Sequence, residues 1–170
     1  MRILGIDPSY KNTGWCILSA SEKECTVVKA GSIPVSLYRP KKVRPEMTEA
    51  ENINAITDGI YYALTEGVDV AAIEKPPFMV HSGAGLLLQV FGAIKADLGL
   101  YVSDYKEFYP VTVKKLVSGS GKADKAQLAA AVENRLSELW EFKNYDESDA
   151  AAIAMAYWID RQNDDNGHRE

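Results

Sequence analysis

Residues 2–33, RILGIDPSYKNTGWCILSASEKECTVVKAGSI, contain the strongest strand signal in the chain. They divide into three stretches rich in Ile, Val, Leu, Trp and Cys, over residues 2–7, 13–20 and 25–33, and polar turn residues separate the three. Because the connections are only a few residues long, this pattern predicts an antiparallel β-meander at the start of the chain.

Beyond the meander the hydrophobic period lengthens from two residues to between three and four, which is typical of helices. Thr48 and Glu51 have the spacing of a capping box and predict a helix from Thr48 to about Thr65. The other predicted elements are a strand over 68–73 that ends at Glu74, a helix over 85–98, a strand over 99–104, and helices over 110–116, from Asp124 to about Leu139, and over 146–160.

This order of elements predicts an α/β fold with a mixed five-stranded sheet, in which three antiparallel strands precede two parallel ones and helices flank the sheet. No internal repeat or linker divides the chain. We therefore assign residues 1–160 to a single domain and residues 161–170 to a polar C-terminal tail.

Composition agrees with one globular domain, since 170 residues with 46% hydrophobic and 25% charged side chains can bury a sizeable core. A net charge of -5 excludes a uniformly basic nucleic-acid-binding domain. The cations are unevenly placed, however. Residues 1–45 carry 8 Lys and Arg against 3 Asp and Glu, and residues 106–145 carry 7 against 5. Any binding of a polyanion is therefore expected on a basic surface built from these two segments.

No stretch predicts a membrane segment or a leader peptide. The longest apolar run, residues 150–159, has half of the roughly 20 residues that a membrane-spanning helix needs. Cys16 and Cys25 lie in strand-like stretches without metal-binding spacing, which predicts buried free thiols in a reducing cytoplasm. No membrane partner is expected.

Four acidic residues stand where a charge requires an explanation. Asp7 ends the first strand, and Glu74 ends the fourth, between Ala-Ala-Ile and Pro-Pro. Asp146 and Asp149 are three residues apart, on one face of the last helix, and ten apolar residues follow Asp149. If the first and fourth strands are neighbours, their ends can bring Asp7 and Glu74 together, and the last helix can add the other two carboxylates. For any one of them a structural role in a turn or at a helix terminus is the alternative.

Carboxylates gathered this closely repel one another and need cations. Sites made only of oxygen ligands suit Mg²⁺, with Mn²⁺ as a substitute. Two such ions about 4 Å apart can activate a water and stabilise the leaving oxygen of a phosphodiester. The four acids therefore predict a site for two metal ions and phosphodiester hydrolysis.

Four short motifs occur in register: Leu-Gly-Ile-Asp-Pro at 4–8, Thr-Gly-Trp at 13–15, Ala-Ile-Glu at 72–74 and Asp-Glu-Ser-Asp-Ala at 146–150. In this arrangement the chain resembles the RuvC-type Holliday-junction resolvases of the RNase H-like superfamily over nearly its whole length. The resemblance implies an RNase H-like fold and a homodimeric endodeoxyribonuclease that binds four-way DNA junctions and makes paired nicks on opposing strands. The implied metal ligands are Asp7, Glu74, Asp146 and Asp149.

The same resemblance implies hydrolysis without a covalent enzyme intermediate, leaving 5′-phosphate and 3′-hydroxyl ends. It also implies a role in DNA recombination and repair, a branch-migration helicase as a candidate partner, and a cytoplasmic location in a bacterial cell or in the host cell of a virus. Ser9 stands where many cellular members have glycine, which is consistent with a viral or otherwise divergent member.

Further residues are candidates for DNA contact. Phe78 is similar to the family's aromatic residue that stacks on a base near the crossover, although it lies one residue further from the glutamate, and ordinary core packing is the alternative. Lys125, in the glycine-containing turn of residues 119–125, matches the family's functional lysine and is a candidate for catalysis and for phosphate contact. The remaining candidates, each with a solvated surface position as the alternative, are Lys122, Arg135, Arg39, Lys41, Lys42 and Arg44.

Other functions agree less well with the sequence than the resolvase interpretation. A Walker phosphate loop at 118–122 is excluded because Leu116 and Ala123 replace the required glycine and hydroxyl residue. An ATPase of the actin-like class needs two lobes, and 170 residues provide one. An RNA-processing nuclease of the same fold and a junction-binding protein without catalysis stay open as alternatives.

Overall fold

A computed structural model describes residues 1–34, 48–76 and 84–167. The strands are β1 (Arg2–Asp7), β2 (Asn12–Ala20), β3 (Cys25–Pro34), β4 (Val70–Glu74) and β5 (Asp104–Phe108). The helices are α1 (Glu49–Leu64), α2 (Ala84–Tyr101), α3 (Pro110–Ser118), α4 (Lys125–Glu133) and α5 (Tyr145–Gly167). Phe78 and the loop cations Arg39, Lys41, Lys42 and Arg44 lie outside the described residues.

The five strands form one mixed sheet in the order β3-β2-β1-β4-β5. The short turns give antiparallel pairs between β1 and β2 and between β2 and β3. The connections through α1 and α2 are long enough for crossovers, so β4 pairs parallel with both β1 and β5. This arrangement confirms the predicted fold class of three antiparallel strands followed by two parallel ones, flanked by helices.

The pleat of the sheet determines which way each strand end points. Alternate residues of β1 and β4, such as Ile3 and Val70, pack in the core formed with α3, α4 and α5, while their neighbours pack against α1 and α2. Asp7 and Glu74 continue the first of these two series. They also follow Ile6 and Ile73, which are partners in the parallel pair. The two carboxylates therefore lie side by side at the same end of two neighbouring strands.

Helix α5 lies unusually close to the sheet because two glycines face it. A Cβ at Gly5 would lie 2.0 Å from the Ala150 carbonyl oxygen, and a Cβ at Gly14 would lie 2.1 Å from the Asp146 carbonyl oxygen. No side chain fits in this space. The absence of both side chains lets the first two turns of α5, which are followed by the buried run 150–158, rest on the ends of β1 and β2.

The last predicted strand is misplaced. The last strand is β5, not residues 99–104, because the apolar residues that predicted a strand there belong to the end of α2. The true strand carries charged side chains, and neighbours pair with them: Lys75 and Lys95 with Glu107, and Lys106 with Asp160. Charges on an edge strand are a usual protection against pairing with other chains, and they hid β5 from the hydrophobic pattern.

Helix α4 is shorter than predicted, and α5 is longer. α4 ends at Glu133 with Asn134 as its C-cap, so Leu139, where the helix was predicted to end, is fully exposed beyond it. α5 continues to Gly167, so residues 161–167 of the predicted tail are helical. The predicted capping box of Thr48 and Glu51 is confirmed.

Both cysteines are buried free thiols, as predicted. Burial raises the pKa of Cys16 and raises the pKa of Cys25 to about 11, so both stay protonated and belong to the core. Among the helices of the described ranges, none has the length and apolar character needed to cross a membrane.

Candidate active site

Three of the four predicted carboxylates line one cavity of about 280 Å³. Asp7 and Glu74 enter it from the ends of β1 and β4, and Asp149 enters it from the second turn of α5. The opposite walls come from α3, with Pro110, Val113 and Lys114, and from α4, with Lys125 and Leu128. The parallel pairing of β1 with β4 and the close seat of α5 therefore bring together residues that are far apart in the sequence.

Burial of these carboxylates destabilises their charged forms. Burial, followed by repulsion from Asp149, raises the pKa of Asp7 from 3.8 to about 7. Burial, followed by repulsion from Asp7 and Asp149, raises the pKa of Glu74 from 4.5 to about 8. A bound cation would favour the charged forms, because it supplies positive charge beside the carboxylates.

Lys125 provides part of that positive charge. Its Nζ donates a hydrogen bond to Oδ2 of Asp149 at 2.8 Å and lies 5.9 Å from the centre of the Tyr145 ring. The side chain of Lys125 is 61% exposed while that of Asp149 is 15% exposed, so the ammonium stands at the mouth of the cavity. The Asp149 hydrogen bond raises the pKa of Lys125 and keeps it charged.

The backbone holds Lys125 in this place. It is the first residue of α4, directly after the N-cap Asp124, whose carboxylate accepts a hydrogen bond from the Gln127 backbone at 2.8 Å. The Gln127 side chain accepts one from the Asp124 backbone in return and completes a capping box. The start of the helix is fixed, and the lysine is fixed with it.

Lys114 is a cavity residue that the sequence analysis missed. It projects from α3 into the same space, and its charge lowers the pKa of Glu74 against the dominant effect of burial. A signal was present, since Pro110 begins α3 and the buried Val113 and Val117 show which side of the helix faces inward. Lys114 follows Val113 on that side.

Asp146 lies beside the cavity rather than in its wall. Its charge still contributes to raising the pKa of Asp7 and of Lys125, so it is close to both. Oδ2 of Asp146 accepts a hydrogen bond from Nδ2 of Asn12, the first residue of β2. Asn12 was read from the sequence only as a turn residue.

Within residues 1–34, 48–76 and 84–167, no three Asp, Glu, His or Cys side chains stand close enough together to hold a metal ion. Two of the carboxylates already accept hydrogen bonds within the protein, Asp149 from the Lys125 ammonium and Asp146 from the Asn12 amide. The donor set itself consists of carboxylate oxygens and contains two acids of raised pKa, which suits a hard divalent cation.

A family model described as "Crossover junction endodeoxyribonuclease RuvC" matches residues 3–157, a span that includes all four acids. The chain belongs to the RuvC family. It is 35% identical over 159 residues to the RuvC of Campylobacter concisus, covering 92% of this chain and 96% of the relative. It is 34% identical over 159 residues to the RuvC of a Sulfurovum strain, covering 92% and 94%. The resemblance drawn from the motifs is thereby confirmed, and membership of the family makes the chain an endonuclease.

The fold agrees with that of a solved RuvC. The Thermus thermophilus structure has a TM-score of 0.75 at 20% identity, covering 96% of this chain and 97% of the other. The same protein in complex with Holliday junction substrate gives a TM-score of 0.74 at 19% identity, with 96% of each chain covered. At this identity the comparison shows that the RuvC fold extends over the chain.

Two of the basic residues predicted to contact DNA lie away from the cavity wall. Lys122 is exposed in the turn before α4. Arg135 follows α4, and its Nε donates to the Val117 carbonyl at 2.8 Å, which ties the end of α4 to α3. The structure therefore gives Arg135 a structural contact, and a DNA contact stays a prediction for both residues.

Proposed function

We propose that this protein cuts branched DNA, chiefly four-way junctions, by metal-dependent paired nicks on opposing strands. The observation that carries the proposal is the convergence of Asp7, Glu74 and Asp149 in one cavity with the ammonium groups of Lys114 and Lys125 at its walls. Carboxylates are what a divalent cation needs, and ammonium groups are what a phosphate needs. The Thermus relative solved with Holliday junction substrate supports the substrate class.

The proposed ligands of two Mg²⁺ ions, or of Mn²⁺ in their place, are Asp7, Glu74, Asp146 and Asp149. Such ions lower the pKa of water and stabilise negative charge on a leaving oxygen. To receive them, Asp7 and Glu74 release the protons that their raised pKa values retain near neutral pH. Asp149 would hold such an ion in place of the Lys125 ammonium.

The lysines act on the DNA. Once Lys125 leaves Asp149, its exposed ammonium can hydrogen-bond a non-bridging oxygen of the scissile phosphate, and Lys114 lies across the cavity for a second contact. Water attacks the phosphorus in line and loses a proton to solvent, the bond to the 3′ oxygen breaks, and the departing 3′ oxygen takes up a proton from solvent. The products are a 5′-phosphate and a 3′-hydroxyl, and no covalent enzyme intermediate forms.

A homodimer would supply the second site that paired nicks need, and we propose the outer face of α2 as its interface. Val90, Ile94 and Leu98 face the core, so the opposite face presents Leu88 and Gly92 to solvent. A Cβ at Gly92 would meet nothing within 4 Å, which leaves room for a second helix to approach closely. A branch-migration helicase is also proposed as a partner, on the family resemblance alone.

The function is tested with labelled four-way junction, fork, flap, linear duplex and RNA substrates, each with Mg²⁺ and with chelator. We expect the junction to be cut and the cutting to stop in chelator. Equal cutting of all five substrates would contradict the junction preference. Cutting of RNA alone would favour the RNA-processing alternative, and binding of the junction without cutting would favour the inactive one.

Two carboxylate variants locate the site in the same assay. Asp7→Asn and Asp149→Asn each remove a proposed ligand oxygen charge and should lower junction nicking by at least about 10³-fold while junction binding stays measurable. Glu133→Gln, an exposed carboxylate at the end of α4, is the control and should cut like the unchanged protein. Unchanged nicking by Asp149→Asn would remove the catalytic assignment.

A further inference from the structure

We propose that Asn12 is a positioning residue that orients Asp146 toward the metal ions. The inference rests on the proposed function, because Asp146 is a proposed ligand. Asn12 begins β2 and Asp146 lies in the first turn of α5, 134 residues later in the chain. Asn12 differs from the four acids in that it would touch neither metal nor DNA, so its effect must pass through the Asp146 carboxylate.

The geometry fixes Asp146 at two points. Nδ2 of Asn12 donates to its Oδ2, and its own carbonyl oxygen lies where a side chain on Gly14 would stand. Asn12 and Gly14 are two residues apart on β2 and therefore face the same side of the sheet, toward α5. The strand thus holds both the backbone and the side chain of Asp146.

The oxygen of the Asn12 amide destabilises the fold, although its nitrogen makes the contact with Asp146. Its Oδ1 is buried and has no hydrogen-bond partner in the described part of the chain. A buried acceptor without a donor destabilises a fold, and asparagine is a poor strand former. Valine at this position would avoid both penalties. The donation from Nδ2 to Asp146 is the one bond that the Asn12 side chain makes among the described residues, so it is the contact that accounts for the amide.

The consequence concerns which oxygen of Asp146 is available. With Oδ2 engaged by the amide, we expect Oδ1 to be the oxygen that binds a metal ion. The amide also keeps Asp146 from turning to Lys125, whose charge already serves Asp149. Groups that orient metal ligands in this way typically affect metal affinity by about 10- to 100-fold.

The test measures Mn²⁺ binding to the DNA-free protein by titration calorimetry, together with thermal unfolding in chelator. Asn12→Val should weaken Mn²⁺ binding about 10-fold or more, and Asn12→Ser, which keeps a polar but shorter side chain, should do so as well. The unfolding temperature in chelator should stay the same or rise, because the orphaned oxygen is gone.

Asn52→Val is the matched control. Asn52 likewise donates one side-chain hydrogen bond, to the Tyr10 hydroxyl at 2.7 Å, and likewise buries an Oδ1 without a partner among the described residues. Its partner is not a carboxylate, so Mn²⁺ affinity should be unchanged. A loss of affinity as large as that of the Asn12 variants would show a general effect of removing a buried amide and would overturn the inference.

A double variant decides whether Asn12 acts through Asp146. Once Asp146→Asn has weakened binding, adding Asn12→Val should weaken it no further, whereas additive losses would overturn the inference. Mn²⁺ affinity of both Asn12 variants within twofold of the unchanged protein, with Asp7→Asn defective, would overturn the role of Asn12 alone. Full Mn²⁺ binding by Asp7→Asn, or none by the unchanged protein, would overturn the proposed metal site and this inference with it.

Discussion

Asp7 and Glu74 hold protons that ordinary carboxylates release well below neutral pH. Their pKa values in the folded protein, about 7 and about 8, lie above the 3.8 and 4.5 of exposed groups. Between about pH 4 and pH 8 the folded chain therefore binds more protons than the unfolded chain, and stability must fall as the pH rises through that window.

This difference predicts how the metal-free protein melts. In chelator the unfolding temperature should fall by at least about 5 °C between pH 5 and pH 8, and Mg²⁺ should recover most of the loss at pH 8. Scanning calorimetry at unit pH steps measures it, and the double variant Asp7→Asn, Glu74→Gln should show a flatter profile. A metal-free protein that gains stability from pH 5 to pH 8 would contradict the assignment.

The exposed ammonium of Lys125 leads to a prediction about rate. Lys125→Met removes the group proposed to meet the scissile phosphate, so single-turnover nicking should slow by about 10²-fold or more while the junction dissociation constant changes only a few-fold. Lys122→Met, in the same turn but exposed and outside the cavity wall, is the control. Equal slowing of both variants would reduce Lys125 to one of several surface cations.

The sequence predicts a site residue correctly where its position at the end of a strand is enough to locate it. Asp7 and Glu74 terminate apolar strands, and that position can be read from the pattern of the chain. Lys114 and Asn12 were missed because their role depends on the direction of one side chain, which hydrophobic periodicity does not encode for a lysine on a short helix or a polar residue beside a turn.

At the scale of elements, the contact between α5 and β1 determines whether the site forms. Gly5→Ala places a Cβ 2.0 Å from the Ala150 carbonyl oxygen and 2.6 Å from the Ala154 nitrogen, both backbone atoms that cannot move aside cheaply. We expect a loss of about 3 kcal/mol or more in the free energy of unfolding, measured by urea denaturation. Gly85→Ala, with nothing within 4 Å of its Cβ, should cost nothing. Similar stability of the two variants would show that α5 has room to shift.

Elements were predicted well where local chemistry specifies them and poorly where distant partners do. The start of α1 followed from the capping box of Thr48 and Glu51. β5 was misplaced because its charged residues are satisfied by side chains from α2, α5 and the end of β4, and none of these neighbours is visible along the sequence. The end of α4 was extended past Glu133 because Leu136 and Leu139 continue the helical spacing beyond the true C-cap.

For the whole molecule, paired nicking depends on two sites acting on one junction. If the outer face of α2 is the interface, Leu88→Glu should convert the dimer to a monomer in light scattering and leave junctions with one nick. Leu139→Glu, a change at a fully exposed leucine after α4, is the control and should remain dimeric. A protein that is monomeric before any change, or a Leu88→Glu variant that stays dimeric, would contradict the proposed interface.

The packing of α5 against the first two strands also determines when the cavity can form during synthesis of the chain. The cavity needs Asp7 from the beginning of the chain, Glu74 from the middle and Asp149 from near the end, so its contacts span almost the full sequence. A growing chain on the ribosome can form the meander early, because those contacts are local, but it cannot close the cavity until α5 has emerged and docked. On the proposed function, a nascent chain gains the capacity to cut DNA only when the last helix has docked.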